Sequence, residues 1–429
     1  MDIVSLLAVI GESSMEEHSQ AMTSSWTAIL PRIIPAPQAL LKPNRPARMP
    51  QVNAAVVGVH NGTLFQTLNY FPNIIHPIEE LSPFAFRVYK IKHRVEASLP
   101  SSEAKPSKPP SISTDAVKMT DLESNESSPP KHRRSTFGNQ DKPKPHVPAY
   151  IFSPLNALSI LSFLLTVGLL IWALLERDGT ACVALGTISL ASSIVGFASW
   201  WSPVLMNRSF KSKVPDGDVV IRTREGAFIV VKCDEDVARE LYTGHEECMY
   251  YVSRRPYRAL VGVGTFLLMI SVVLLGNCKW TMQAAIGSSY IVLNGAYWLA
   301  ALLPKSMYWD LSAYEFVDET PKDSINADKK TGKTVEDQPS FTRTMWYAIR
   351  ETKKIGWVSR GGAAPKTSKW DEWLREAEKN VENRGWNAVA KKDEIVGETD
   401  SIQQLKVGDI RDTAEEHAPA VQIPPQLTK

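Results

Sequence analysis

The sequence predicts a membrane α-helical fold, with four transmembrane helices in two hairpins and a small α+β insert of ββαβ form on the cytosolic side. Three observations predict it. The chain holds four charge-free runs long enough to span a bilayer. Its Lys and Arg residues alternate in density across those runs. Between the second and third runs, GDVVIRTREGAFIVVKCDEDVARELYTG (217–244) reads as a soluble module tethered at both ends by apolar chain.

The bulk composition narrows the function classes. A net charge of +2 over 429 residues makes no electrostatic case for nucleic acid, and none is expected as a partner. Four Cys do not frame a disulfide-rich secreted scaffold. The opening MDIVSLLAVIGESSMEEH lacks the basic start and long apolar run of a secretory signal. Asp2 after Met1 excludes myristoylation, and the end QLTK carries no prenylation or retention tag.

Eighteen of the 29 Pro lie in the first 150 residues, where a missing donor and a ring clash oppose long helices. Residues 1–99 contain short apolar runs, NAAVVGV and FAFRVYKI, without a clear period, and receive no assignment. Residues 100–148 are rich in Pro, Ser and Lys and read as a disordered linker. Its SSPPKHRRS places serines for phosphorylation beside Lys131, Arg133 and Arg134, which can also meet anionic headgroups.

A bilayer core of about 30 Å needs roughly 20 apolar helical residues. The charge-free runs are Val147–Leu175, Gly179–Asn207, Ala259–Cys278 and Thr281–Pro304. They place spans at 151–175, 180–201, 258–277 and 282–303. Five Lys or Arg precede the first run between 131 and 144, and ten lie between the second and third. Only Arg177 and Lys279 occupy the two short turns. The excess of basic residues marks the cytosolic side, so both termini and the insert are expected there. Trp200, Trp201, Trp280 and Trp309 fall near span ends, where Trp rings favour the headgroup level. Ser189/Ser193, Ser192/Gly196 and Gly264 with nearby Gly262 are small enough to let helices approach closely.

Within the insert (207–256), VVIRT and AFIVVKC read as two strands joined at Arg224-Glu225-Gly226. Asp234 is a suitable N-cap, Val237, Ala238 and Leu241 form an apolar side, and Gly244 is a natural stop. CMYYV (248–252) supplies the third strand. So small a module cannot bury enough surface alone, which calls for cover from the membrane helices or a partner, and its sheet edge can accept a strand.

Cys233, His245 and Cys248 invite a metal reading, but C-x11-H-x2-C has no fourth ligand, so no metal or cofactor is expected. Cys182 and Cys278 sit at the non-cytosolic ends of their runs and could join in a disulfide in an oxidising lumen. Asn294 is the notable polar residue of the fourth run, suited to an intramembrane helix contact. KKTGKT (329–334) imitates a phosphate loop, but Ala327 stands where that motif needs Gly.

The tail (305–429) has two amphipathic helices, near 340–355 and 368–383. The first places Phe341, Met345 and Ile349 on one side, with Trp346 beside it and Arg343, Arg350, Lys353 and Lys354 as basic charge. That pattern fits a membrane surface or a helix packed on the insert. The second carries Trp370, Trp373, Leu374, Ala377 and Val381 as its apolar face.

FSPLNALSILSF, DGTACVALGTISLASS, the insert itself, VLLGNCKWTMQAAIGSSYIVLNG and PSFTRTMWYAIRETKKIGWV together resemble a family of uncharacterised multi-pass membrane proteins of filamentous fungi. The resemblance covers residues 150 to 396 and implies no activity. The expected function is a non-enzymatic scaffold in an endomembrane or the plasma membrane. Its partners would be the lipid bilayer and a cytosolic protein. The alternative is a small-solute channel or transporter made by a homo-oligomer of four-helix protomers.

Overall fold

The computed structural model describes residues 12–94, 147–206 and 216–397. The linker expected at 100–148 lies outside them, apart from its last two residues. Helix α1 (Glu12–Thr23) is followed by strands β1 (Val52–Gly58) and β2 (Leu64–Leu68), helix α2 (Tyr70–Ile75) and β3 (Phe86–His93). A helical hairpin follows, α3 (Pro154–Leu175) and α4 (Gly179–Ser199). Strands β4 (Trp201–Val204), β5 (Val219–Arg222), β6 (Phe228–Cys233) and β7 (Glu247–Tyr250) separate it from α5 (Arg254–Gly276) and α6 (Trp280–Ala301), which a short turn joins but which do not pack on each other as the expected second hairpin would: α5 lies on α4 and α6 on α3. Strand β8 (Tyr314–Asp318) and helices α7 (Phe341–Thr352), α8 (Gly356–Arg360) and α9 (Ser368–Lys379) come last.

Among the described residues, three helices, α3, α4 and α5, are long and apolar enough to cross a membrane. Helix α6 has 22 residues and no charge, but Gln283, Asn294 and two Ser dilute its apolar character. Ser153 caps α3 by accepting the Asn156 N–H, with Pro154 at the first helical position. Asp178 caps α4 through the Ala181 N–H at 3.1 Å, and its other oxygen accepts the Lys279 N–H at 2.7 Å. One carboxylate thus ties the turns of both hairpins together. Large apolar side chains face outward along the bundle, among them Leu164 and Ile171 on α3, Phe266 and Met269 on α5, and Ile291 and Val292 on α6. Lipid accommodates such a belt; water does not.

The insert differs from expectation. Strands β5 and β6 do form a hairpin, but they are the two central strands of a six-stranded sheet ordered β2-β1-β5-β6-β3-β8. Strand β3 runs parallel to β6, and the other neighbours are antiparallel. The expected third strand, β7, instead pairs with β4 in a separate ribbon, so the ββαβ module is not formed. The physical reason is burial on both faces. Val219, Ile221, Ile229 and Val231 enter one core cluster, while Val220, Phe228 and Val230 enter another. A lone hairpin that is apolar on both sides cannot satisfy either. The unassigned runs NAAVVGV and FAFRVYKI supply the missing neighbours as β1 and β3. After β6, Asp234 holds the N-cap position without a side-chain cap bond. The short α-turn Glu235–Val237 widens into a π-turn over Ala238–Thr243.

The tail is folded onto the second sheet face, which displaces the membrane-surface alternative. Met345, Trp346, Ala348 and Ile349 of α7 join Phe86, Val88, Phe228 and Val230. Arg350 is buried and makes a bidentate pair with Asp323 at 2.6 and 3.1 Å. Two expected headgroup anchors are also core residues. Trp201 and Trp309 are each 1 % exposed, with ring centroids 5.9 Å apart. Trp280, by contrast, is 71 % exposed.

Candidate functional site: a polar arm inside the helix bundle

Residues 25–41 leave α1 and enter the helix bundle. Pro31, Pro35 and Pro37 deny this segment a continuous helix. Non-helical backbone costs free energy in apolar surroundings unless its N–H and C=O groups find partners. Helices α3 and α4 provide them as hydroxyls. Thr166 Oγ1 accepts the Ile33 N–H at 2.9 Å, and Ser162 Oγ donates to the Ile33 carbonyl. Ser192 Oγ accepts the Arg32 N–H at 3.2 Å and lies 3.3 Å from the Leu30 carbonyl as its donor. Thr27 Oγ1 donates to Asn156 Oδ1 at 2.8 Å. At a rise of about 1.5 Å per residue, Thr166 lies roughly 18 Å along α3 from Pro154. The arm therefore reaches past the middle of that helix.

Close approach requires Gly196. A Cβ there would stand 1.8 Å from the Ala28 carbonyl oxygen. The pair Ser192/Gly196 thus seats the arm rather than another helix. Gly264 does serve a helix contact, since a Cβ there would stand 2.4 Å from Val195 of α4.

At the tip of the arm, Arg32 is 1 % exposed. Its Nη1 donates to the Thr27 carbonyl, while its Nε is buried without a partner. No carboxylate pairs with it among the described residues. The Tyr297 hydroxyl of α6 lies within electrostatic reach and is also buried without a well-formed hydrogen bond. Asn294 sits three residues earlier, on the same side of α6. Both of its amide atoms are buried and unpaired, so the expected helix contact makes no hydrogen bond. His18 of α1 completes the surroundings, with Nε2 3.2 Å from the Tyr297 carbonyl oxygen. Sequence reasoning passed over Arg32. Its signal was AILPRIIPAPQALL, an apolar stretch with a single charge and three prolines.

The other sequence candidates are dispersed. Cys182 and Cys278 share one apolar cluster at the hairpin turns, where both are free thiols. Cys233 lies on β6 and Cys248 on β7, in different sheets, so the metal-like spacing gathers no site. Among the described residues, no three His, Cys, Asp or Glu could hold a metal ion. KKTGKT forms a turn closed by Asp337, which accepts from the Thr334 N–H and hydroxyl.

A second polar group locks the N-terminal region to the insert. Asn69 Nδ2 donates to the carbonyls of Leu241 and Gly244 at 2.7 and 2.9 Å. Glu246 accepts the Tyr70 and Phe71 N–H groups at 2.9 and 3.1 Å. Burial pushes its carboxyl up to about 7, against the two N–H donors that favour the charged form. His76 stacks on Tyr242, with Nε2 2.7 Å from the hydroxyl, and burial pulls it down to about 4. Half-buried His93 is pushed up, first by its contact with Glu240 at 3.0 Å.

Three apolar helices of membrane length, an outward apolar belt and a mixed-sheet domain at one end of the bundle define a membrane-embedded protein. No known protein family, characterised protein or solved structure matches this chain.

Proposed function

We propose that the chain spans the membrane four times, with α6 as the fourth span. In this reading the sheet domain and both termini face the cytosol, and the bundle binds a small anionic solute as part of a channel or transporter. The observation that carries this is Arg32, a buried guanidinium in the bundle that no carboxylate pairs with among the described residues. An ionisable group at membrane depth costs free energy, and such groups mark solute pathways. An entering anion would neutralise Arg32, with Asn294 and Tyr297 as further polar partners. Interrupted segments near the midplane are the usual architecture of such sites. Orientation is supported by the basic residues, ten of which lie between the second and third runs. One sheet draws strands from before, between and after the two hairpins, which supports a shared side for all three segments.

The scaffold expectation rested on the cytosolic module, two Trp-bearing tail helices and outer turns too short to bind much. Strands β1 and β3 fill both edges of the β5–β6 hairpin, and the tail covers its second face. The reading therefore moves to the bundle. Its test is anion flux into vesicles reconstituted with the full-length protein. Flux is expected with the native chain, to fall at least tenfold in Arg32→Met, and to return in part in Arg32→Lys. Equal flux in all three, or flux no greater than in empty vesicles, would sink the proposal.

A further inference from the structure

Between the bundle and the sheet domain lies a cavity of about 790 Å³. Small-ligand sites occupy roughly 300–1,000 Å³. Its bundle side is built from helix ends: Ser199 closing α4, Tyr257 in the first turn of α5, and Leu302 and Leu303 just after α6. Leu302 is 68 % exposed, so the cavity has an apolar rim toward the belt. If the bundle spans the membrane as proposed, on which this inference rests, these ends lie at the depth of lipid headgroups.

Six charged residues line the cavity: Lys42, Arg45, Lys305, Glu16, Glu79 and Glu80. The signs balance. Lys42 and Glu16 pair with each other. Arg45 stands 3.9 Å from the Tyr250 ring centroid and 4.6 Å from that of Tyr257, and it donates to the carbonyls of Ala198 and Val252. A guanidinium carries five N–H donors, so Arg45 is held in place with donors to spare. Glu79 and Glu80 are exposed on the 3₁₀ turn Ile78–Glu80, with no ion pair among the described residues.

We propose that this cavity binds the phosphoethanolamine headgroup of a membrane phospholipid. The phosphate meets Arg45, the ammonium meets Glu79 and Glu80, and the acyl chains leave past Leu302 and Leu303. A headgroup with both signs suits a lining with both signs, whereas a purely anionic one would face two carboxylates. A choline group cannot hydrogen-bond to carboxylates and seeks aromatic faces instead. Of the aromatic rings lining the cavity, Tyr250 and Tyr257 each have a face taken by Arg45, Trp201 is 1 % exposed, and Tyr70 packs edge-on against Phe71 and Trp309.

The test uses full-length protein in nanodiscs of phosphatidylcholine alone, with added phosphatidylethanolamine, or with added phosphatidylglycerol. Membrane insertion is verified first, which separates a failed membrane reading from a failed site. Lipid retained on transfer to detergent is then measured by native mass spectrometry. Phosphatidylethanolamine is expected to be retained selectively. The double variant Glu79→Gln/Glu80→Gln should lower that retention about tenfold with thermal stability in phosphatidylcholine unchanged, since both side chains are exposed on a turn. Equal retention of phosphatidylglycerol, or retention unmoved by the double variant, overturns the proposal. If soluble glycerophosphoethanolamine displaces the lipid at equal concentration, the lipid assignment is overturned in favour of a soluble phosphoamine.

Discussion

Glu246 shows how one buried side chain joins segments far apart in sequence. Its carboxylate spans two backbone N–H groups at the start of α2 while standing on the far side of the insert. Because burial raises its folded pKa to about 7, the folded chain holds this proton more tightly than the unfolded chain. Its contribution is present at low pH and is lost as pH rises from about 4.5 through about 7. His76 acts oppositely. Its folded pKa is depressed to about 4, so its contribution grows between about pH 4 and 6.5. The two slopes oppose each other over much of that range. Glu246→Gln should therefore unmask a rise in thermal stability between about pH 5 and 6.5, read from melting curves of the purified protein. Parallel pH profiles for variant and native chain would show that Glu246 does not titrate in this window. None of this was visible in the sequence, because Glu246 follows a loop and looks like any exposed acid.

At the scale of elements, the tail helices behave as a lid of core rather than as membrane anchors. The spacing of Met345, Trp346 and Ile349 was legible as an apolar helix face, but that spacing cannot say which surface it covers. The β5–β6 hairpin supplies the answer, since Phe228 and Val230 would otherwise face water. Trp357 of α8 is the deepest test of this packing. It is 1 % exposed, its ring lies 6.1 Å from Phe228, and its Nε1 donates to Thr352 Oγ1 at 3.0 Å. Truncating a buried Trp costs about 3–5 kcal/mol from lost transfer energy and a residual cavity. Trp357→Ala should destabilise the sheet domain by that amount, measured by denaturant unfolding with hydrogen exchange followed on β6. A loss below about 0.5 kcal/mol, within the range of ordinary surface changes, would mean the tail is only loosely docked.

The whole molecule is interlocked by its N-terminal region. Residues 52–93 give three strands to the sheet, and residues 25–41 fill the bundle. A chain of residues 150–396 would keep the helical hairpins and both central strands but lose their neighbours on either side. Such a chain should still insert into membranes, while a protease added on the domain side should cut within residues 217–244, which the full-length protein protects. Equal protection of both chains would show that the insert is stable without β1 and β3.

By itself the sequence determined where the long apolar helices lie, but not how they pack: α5 lies chiefly against α4, and α6 against α3 rather than against α5. Runs of apolar residues with charges confined to their ends carry that information locally, through hydropathy, caps and turn residues. It also determined the two central strands and the two amphipathic tail helices, whose periods are written in neighbouring positions. Tertiary structure alone decided where those faces point. The sheet order unites strands separated by up to two helical hairpins. The hydroxyls of Ser162, Thr166 and Ser192 look like ordinary small membrane residues until the arm lies against them. Arg32 reads as a surface charge in a proline-rich segment until its neighbours are known. Long-range contacts of this kind depend on which surfaces remain uncovered after local structure has formed, and no window of sequence contains that information.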